Sequence, residues 1–380
     1  MPAATRPLAA AALPLLAAAF TVAPAGPPAS VWGSIDALHK CGVNDVPDIP
    51  ARAFVDGGGV AHMIVGSTAF HRMTGPTVFN QSRDCAAAWN STQDPDPSHF
   101  ASAEWLDSPH VFPNGTVVAL VHVEYDAMNI EVPKCPHNYP LCWTVTVTQA
   151  ISDDWGLTWR HARAPPAHLV AAVPYVFNQS QPASGWGDPS NIFQSPLDGL
   201  FYFAVLNRNR VGLQAPGICF ARTADLTDPS SWRAWGGAEW NVSWTSPYTL
   251  APGTEAAHVC APVVTAEQCM PSGVVWSTYL SLFVATLDCI QKQSALYMAT
   301  SADLVTWSPV APFYSLADLP PDVRRNVTSM TYPTFLDPTA SVGGNFMAVG
   351  QDPPLFWVSI GHSPYTDGRR VWATPMHFEK

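Results

Sequence analysis

Acidic side chains stand at the ends of short apolar runs in this chain, where carboxyl groups could carry out acid–base chemistry. Asp48 and Asp188 each precede such a run, and Glu124 closes one. A protonated carboxyl group near an ionised one can donate and accept protons, as hydrolysis of a glycosidic bond requires. The simpler alternative is that the aspartates cap turns and the glutamate is a solvated strand end.

Other polar and aromatic residues near these acids are candidates for ligand binding. They are Asp107, His122, Trp105, Trp186 and Arg208. His122 and Glu124 alternate along one run, which puts them on the same face of a strand. Both tryptophans come two residues before an aspartate, where indole rings could stack on sugars. Asp107 and Arg208 could instead form loop ion pairs.

A repeated hairpin pattern would bring these residues together. An apolar run, a turn and a second apolar run recur five times, beginning near residues 48, 107, 188, 273 and 332. Asn-Gly and Asp-Gly turns between apolar runs predict hairpins. In the fifth copy, residues 345–349 are the expected second strand. Because the first strand starts and the second ends at the same face, we expect the acids to converge there.

A second pattern of Ser or Thr, Asp and Trp follows copies two to four, at residues 152–159, 222–232 and 300–307. Its Ser and Asp side chains can cap a tight turn while the Trp packs on the hairpin. Each unit then has four strands, and five units of about 71 residues predict an all-β, five-bladed β-propeller with four antiparallel strands per blade. We expect the last strand, near Arg370, to complete blade five without an N-terminal strand.

These motifs resemble the five-bladed propeller glycoside hydrolases, especially the family 43 arabinanases and β-xylosidases and their family 32 relatives. The segment D-P-S-N-I-F-x4-D-G-x-F-Y, starting at Asp188, is similar to that family's I-D-P-S-L-F-x-D-D-G-x-x-Y, and residues 300–307 match its outer hairpin. The resemblance implies an inverting hydrolase acting on a carbohydrate. Asp48 would be its base, and Asp188 the blade-three aspartate that tunes the acid.

The general acid is less clearly marked. The resemblance implies a glutamate in blade four, and Glu255 stands in a segment similar to the family's E-G-P-x-I, but well before the inner strand of that blade. Glu267 is nearer but lacks the motif, and Glu124 is better placed by geometry. A secreted propeller that binds glycan or protein without cleaving it therefore remains the alternative.

Composition and missing motifs exclude several other classes. The net charge is −11 and the chain has only four lysines, so a basic surface for nucleic acid is lacking. G-x-S-x-G, Walker and dinucleotide motifs are absent, and no cofactor is predicted. Residues 152–159 also fit the Asp-box of sialidases, but no arginine triad accompanies them. The oligomeric state is left open.

The cysteines favour disulfides over a metal site. There are eight, and none forms a C-x-x-C pair. An even number in an exported chain indicates disulfides. We expect two local bonds, Cys135–Cys142 and Cys260–Cys269, and no metal.

The first 25 residues have the pattern of a secretory signal peptide. Arg6 precedes an Ala/Leu run of about 15 residues, shorter than the roughly 20 that a membrane span needs, and Ala23-Pro-Ala25 fits a cleavage site. We expect residues 1–25 to pack against nothing and residues 26–380 to form one secreted propeller domain. Six N-x-Ser/Thr sequons predict surface glycosylation. Their asparagines are Asn80, Asn90, Asn114, Asn178, Asn241 and Asn326.

Overall fold

Five small β-sheets are arranged in a ring and form a five-bladed β-propeller. This computed structural model describes residues 20–33, 36, 47–126, 142–178, 183–265, 268–361 and 368–380. The predicted all-β architecture is confirmed. Blades are numbered here in chain order of their first strands.

The first two blades are built from consecutive antiparallel hairpins. Blade one contains Arg52–Val55, Ala61–Ile64, Ala69–Thr77 and Asn80–Asn90. Blade two contains Ala103–Val111, Val117–Asp126 and Trp143–Ser152, with Arg160–His161, Leu169–Ala171 and Ser184–Gly185 paired along its third strand.

The next two blades follow the same plan. Blade three contains Phe193–Gln194, Phe201–Asn207, Gly217–Thr223, Arg233–Trp235 and Trp240–Val242. Blade four contains Cys269–Ser277, Leu282–Cys289, Ala295–Ser301 and Ala311–Ser315, with Ala348–Val349 added in parallel to its first strand.

Blade five closes the ring with strands from both ends of the chain. It contains Ser329–Phe335, Pro354–Ile360 and Arg369–Glu379, with Thr21–Pro24 and Ala29–Gly33 paired to the last of these. The described helices are short: 3-10 turns at Pro97–His99, Pro229–Ser231, Glu255–His258, Ile290–Lys292 and Leu316–Asp318, and the α-helix Pro321–Arg324. None of them is long and apolar enough to cross a membrane.

The prediction that residues 345–349 form the second strand of the fifth copy is wrong. Pro354–Ile360 pairs with the first strand of blade five, whereas Ala348–Val349 pairs with the first strand of blade four. The side-chain amide of Asn345 donates to the carbonyl of Val111 (3.0 Å) and accepts from its N–H (2.9 Å). A short apolar run thus joins neighbouring blades instead of extending its own.

The expectation that blade five needs no N-terminal strand is also wrong. Thr21–Pro24 is antiparallel to residues 376–379 of the last strand, and the rings of Phe20 and Phe378 are 6.3 Å apart. The expectation that residues 1–25 make no packing contacts is therefore wrong for residues 20–25, which pack against the last strand. The outer edge of Arg369–Glu379 would otherwise leave a row of backbone N–H and C=O groups unpaired.

The disulfides differ from the predicted Cys260–Cys269 bond. The structure has Cys219–Cys260 and Cys269–Cys289. Cys269 lies directly opposite Cys289 in the first hairpin of blade four, so strand register, rather than closeness in sequence, selects its partner. Cys142 is also in a disulfide, but the predicted Cys135–Cys142 bond lies outside the described residues because Cys135 is not among them.

The outer hairpins have the predicted caps. Ser152 Oγ accepts from the N–H of Gly156 (2.8 Å), and Asp154 Oδ1 accepts from that of Thr158 (2.9 Å). The indole of Trp159 then donates to the Gly156 carbonyl (3.1 Å), which closes the turn. The asparagines of all six sequons are exposed.

A candidate active site at the propeller axis

Acidic side chains from blades one, two and three surround one tyrosine of blade five. The hydroxyl of Tyr332 lies 3.4 Å from Asp48 Oδ1. Burial raises the pKa of Tyr332 well above its ordinary value, and the charges of Asp188 and Glu124 raise it further. The structure thus brings together Asp48, Asp188 and Glu124, three of the acids that lie at strand starts and ends.

Hairpin geometry delivers these residues to the same face. Asp48 precedes the first strand of blade one, and its N–H donates to the Val65 carbonyl. Glu124 is paired with Ala103 at the end of the first hairpin of blade two. Asp188 lies in a segment that runs beside the second strand of blade three, where the N–H of the next-door Gly187 donates to the Leu206 carbonyl (2.8 Å).

His122 connects two of the acids. Its Nε2 lies 3.0 Å from Glu124 Oε1 and its Nδ1 lies 3.2 Å from Asp188 Oδ1. Burial by itself would lower the pKa of His122, but the charges of Asp188 and Glu124 more than offset this and raise it. An imidazole that lies between two carboxyl groups limits the positions that both can take.

The two outer acids have opposite environments. Asp48 forms an ion pair with Arg369. Glu124 is mostly enclosed, and burial raises its pKa even though His122 acts in the other direction. The two carboxyl groups therefore differ in environment: one is paired with a cation, and the other is removed from water.

Asp107 supports the site from beneath and does not face a ligand. It is fully buried, and its Oδ1 accepts from Arg52 Nε (2.9 Å) and from the Ser108 hydroxyl (3.0 Å). Burial raises the pKa of Asp107 to about 6. The expectation that it binds substrate is wrong because no part of its side chain reaches solvent.

The two predicted sugar-stacking tryptophans are buried as well. Trp186 is fully enclosed and packs against Trp244, with ring centroids 5.1 Å apart. Trp105 is nearly as buried and packs against His122 (5.6 Å). Neither presents an open ring face, so Trp105 positions His122 and Trp186 fills the core between blades.

Arg208 remains at the mouth. It is partly exposed, its guanidinium lies 4.9 Å from the ring centroid of Trp143, and its charge acts to lower the pKa values of Asp288 and Tyr332. It is therefore positioned to contact a ligand that enters the ring of acids.

Glu255 is outside the cluster. It starts an exposed 3-10 turn and accepts from the N–H of Gly253 (3.2 Å). The described start of blade four has Cys269, Met270 and Pro271 where a carboxyl group is expected. Glu267 lies outside the described residues.

Sequence reasoning placed Asp288 at the mouth by its strand end but did not single out Tyr332 or Arg369. Tyr332 lies in the first strand of blade five, where its φ of 55° marks a bulge. Asp288 ends the first hairpin of blade four, accepts a hydrogen bond from Thr331, and burial raises its pKa to about 6. The strand-end rule that located Glu124 also applies to Asp288, whereas Tyr332 lies in the middle of its strand and nothing in the sequence singles out Arg369.

The five-bladed ring has the fold of solved structures of glycoside hydrolases. No protein-family model matches the sequence, and no curated protein matches it. Among solved structures, the α-L-arabinofuranosidase of Lactobacillus brevis matches with a TM-score of 0.51 at 11% identity, over 86% of this chain and 90% of that one. The catalytic domain of the Coprinopsis cinerea GH62 α-L-arabinofuranosidase matches with a TM-score of 0.53 at 9% identity, over 92% and 96%. The predicted resemblance is confirmed for the fold.

Proposed function

We propose that this protein is a secreted glycoside hydrolase that cleaves its substrate at the axial mouth with inversion. The observation that carries the proposal is the group of carboxyls from three blades around Tyr332. Asp48 is paired with a cation there, while Glu124 is desolvated. Carboxyl groups whose environments push their pKa values apart are typical of an acid and a base that act together.

The proposed reaction uses these two groups on opposite sides of the sugar. Asp48 accepts a proton from a water whose oxygen attacks the anomeric carbon, and Glu124 donates a proton to the departing oxygen as the glycosidic bond breaks. Asp188 acts through His122, which holds Glu124 in position. In inverting enzymes a separation of about 6.5–9.5 Å between the two carboxyl groups leaves room for the water.

We propose α-L-arabinofuranosides as the first substrates to test, because both structures cited above are α-L-arabinofuranosidases. Arg208 at the mouth would hydrogen-bond to the sugar hydroxyls. Xylan, arabinan and fructan complete the panel, since the fold alone does not select the sugar.

The second candidate function is binding of a glycan without cleavage. One observation favours it: the described start of blade four carries Met270 instead of an acid, and Arg208 lies 3.0 Å from the Met270 sulfur. A binding protein would retain affinity for oligosaccharides and release no product.

The test is hydrolysis of this panel by the purified protein and by Asp48→Asn, with Glu255→Gln as the matched control. We expect turnover on at least one substrate and a loss of at least about 100-fold in Asp48→Asn, because an amide cannot accept the proton of water. Glu255→Gln makes the same change of charge at an exposed residue and should keep full activity. Oligosaccharide binding without product release would favour the second function.

Secretion is part of the proposal. The disulfides and the exposure of all six sequon asparagines support an extracellular glycoprotein. Expression in a eukaryotic secretion host should give a protein whose mass falls on enzymatic removal of N-glycans. An unglycosylated protein retained inside the cell would contradict this part.

A further inference from the structure

A second group of chemically capable side chains lies in blade two, away from the axial acids. Glu104, His161 and His168 each offer one metal-binding atom, and these atoms lie within 4.8 Å of one another. Glu104 is adjacent to Trp105 in the first strand of that blade, and neighbouring strand residues point to opposite faces. Because Trp105 packs against His122, the side chain of Glu104 lies on the other face of the sheet.

Hydrogen bonds to the backbone orient two of these three residues. The N–H of Thr92 donates to Glu104 Oε2 (2.7 Å), which leaves Oε1 facing His161 Nε2 at 2.6 Å. Nε2 of His168 donates to the Phe100 carbonyl (3.1 Å). Its proton is therefore on Nε2, and Nδ1 presents a lone pair.

The lone pair of His168 has no partner. His168 is fully buried, and its Nδ1 makes no hydrogen bond. Its ring lies beside that of His161, with centroids 4.5 Å apart. A buried acceptor without a donor is uncommon in folded proteins, and a cation bound between the three residues would satisfy it.

We propose that Glu104, His161 and His168 form a binding site for a divalent transition metal, with Zn²⁺ as its ion. Imidazole nitrogens and a carboxylate are ligands that Zn²⁺ accepts, whereas Ca²⁺ and Mg²⁺ prefer oxygen ligands throughout. The bond from His168 to a carbonyl and the bond from a backbone N–H to Glu104 are the supports that metal ligands ordinarily have.

Three protein ligands leave a fourth position for water. The side chain of His161 is 16% exposed while that of Glu104 is fully buried, so solvent reaches the site past His161. Tetrahedral Zn²⁺ with bonds of about 2.0 Å holds its ligand atoms about 3.3 Å apart. Binding of Zn²⁺ would therefore lengthen the short contact between Glu104 Oε1 and His161 Nε2.

Cysteine spacing does not reveal this site, because its three residues are a glutamate and two histidines. The histidines come from the outer edge of blade two, and the glutamate from its first strand, far away in sequence. A metal ion bound there would link the first strand of blade two to its outer edge.

The test measures Zn²⁺ binding to the full-length protein after treatment with a chelator. Glu104→Gln and His161→Gln are the variants, since both keep side-chain volume and His161 is partly exposed. The matched control is His99→Gln, because His99 also contacts carboxylates, those of Asp94 and Asp96, but on the surface. Metal content, a competition assay with a chromophoric chelator, and the melting temperature with Zn²⁺ or Mg²⁺ are the readouts.

We expect one Zn²⁺ per chain, a higher melting temperature with Zn²⁺ but not with Mg²⁺, and at least tenfold weaker binding in both variants. His99→Gln should bind as the wild type does. Absence of stoichiometric Zn²⁺ from the wild type, or unchanged binding in a folded Glu104→Gln or His161→Gln variant, would overturn the proposal. Both outcomes are independent of whether the axial site hydrolyses glycosides.

Discussion

Individual carboxyl groups at the axis differ mainly in how far they are removed from water. Asp107 and Asp288 are buried, and burial raises both of their pKa values to about 6. Asp48 and Glu124 lie nearer the opening. The inner acids therefore resist ionisation and shape the field in which the outer ones work.

Burial of Asp288 has a consequence for stability that pH should reveal. Its pKa is about 6 in the folded protein and near 3.8 in the unfolded chain, so the folded state binds more protons between these values. Stability should then fall as pH rises from about 4 to 6, by about 3 kcal/mol at most for this one group.

Asp288→Asn removes this titration and can still accept the hydrogen bond from Thr331. We expect the melting temperature of the variant to rise relative to wild type between pH 4 and pH 8, as followed by calorimetry. A difference between the two proteins that stays constant with pH would contradict the assignment of a buried carboxyl group there.

At the scale of elements, hairpins could be predicted from the sequence and long-range pairings could not. The Asn-Gly and Asp-Gly turns and the Ser–Asp–Trp caps are local, so their residues specify them directly. The strand-end rule then located Asp48, Glu124 and Asp188. The inter-blade role of Asn345 and the partner of Cys269 depend on which strands become neighbours, and no short pattern encodes that.

The same reasoning explains the errors at single residues. Trp186 and Asp107 have the residue types of a binding site, but they lie deep enough for neighbouring blades to cover them. Arg369 comes from the opposite end of the chain to its partner Asp48, so only closure of the ring brings them together.

The pairing of the N-terminal strand Thr21–Pro24 predicts where the signal peptide is cleaved. It covers the edge of the last strand beside the fully buried Met376 and Phe378, so cleavage after Ala25 would remove it. The small residues Ala17-Ala-Ala19 also fit a cleavage site, and we expect the secreted protein to begin at Phe20. Mass spectrometry of its N-terminal peptide gives the answer, and a start at Gly26 would contradict this.

Over the whole molecule, one buried arginine links four blades. Arg52 of blade one donates to Asp107 of blade two (2.9 Å) and to the carbonyls of Pro189 (2.9 Å) and Ser272 (2.5 Å), beside blades three and four. Its hydrogen bonds therefore hold four blades together at the axis of the ring.

Arg52→Met should lower the free energy of unfolding by about 3–5 kcal/mol, because it leaves Asp107 buried without its partner. Urea denaturation measures the loss. Arg160→Met is the control, since the exposed Arg160–Asp153 pair should contribute no more than about 1 kcal/mol. Equal effects of the two substitutions on the free energy of unfolding would contradict the claim that Arg52 stabilises the ring by linking its blades.

The central claim, that Glu124 and Asp48 are the acid and base of a glycoside hydrolase, is tested most directly with Glu124→Gln and two leaving groups. An alkyl glycoside needs protonation of its leaving oxygen, whereas a dinitrophenyl glycoside departs without it. We predict that the variant loses about 10²–10⁴-fold in turnover of the alkyl substrate and little with the dinitrophenyl substrate. Equal losses on both substrates, or wild-type activity on the alkyl glycoside, would contradict the account.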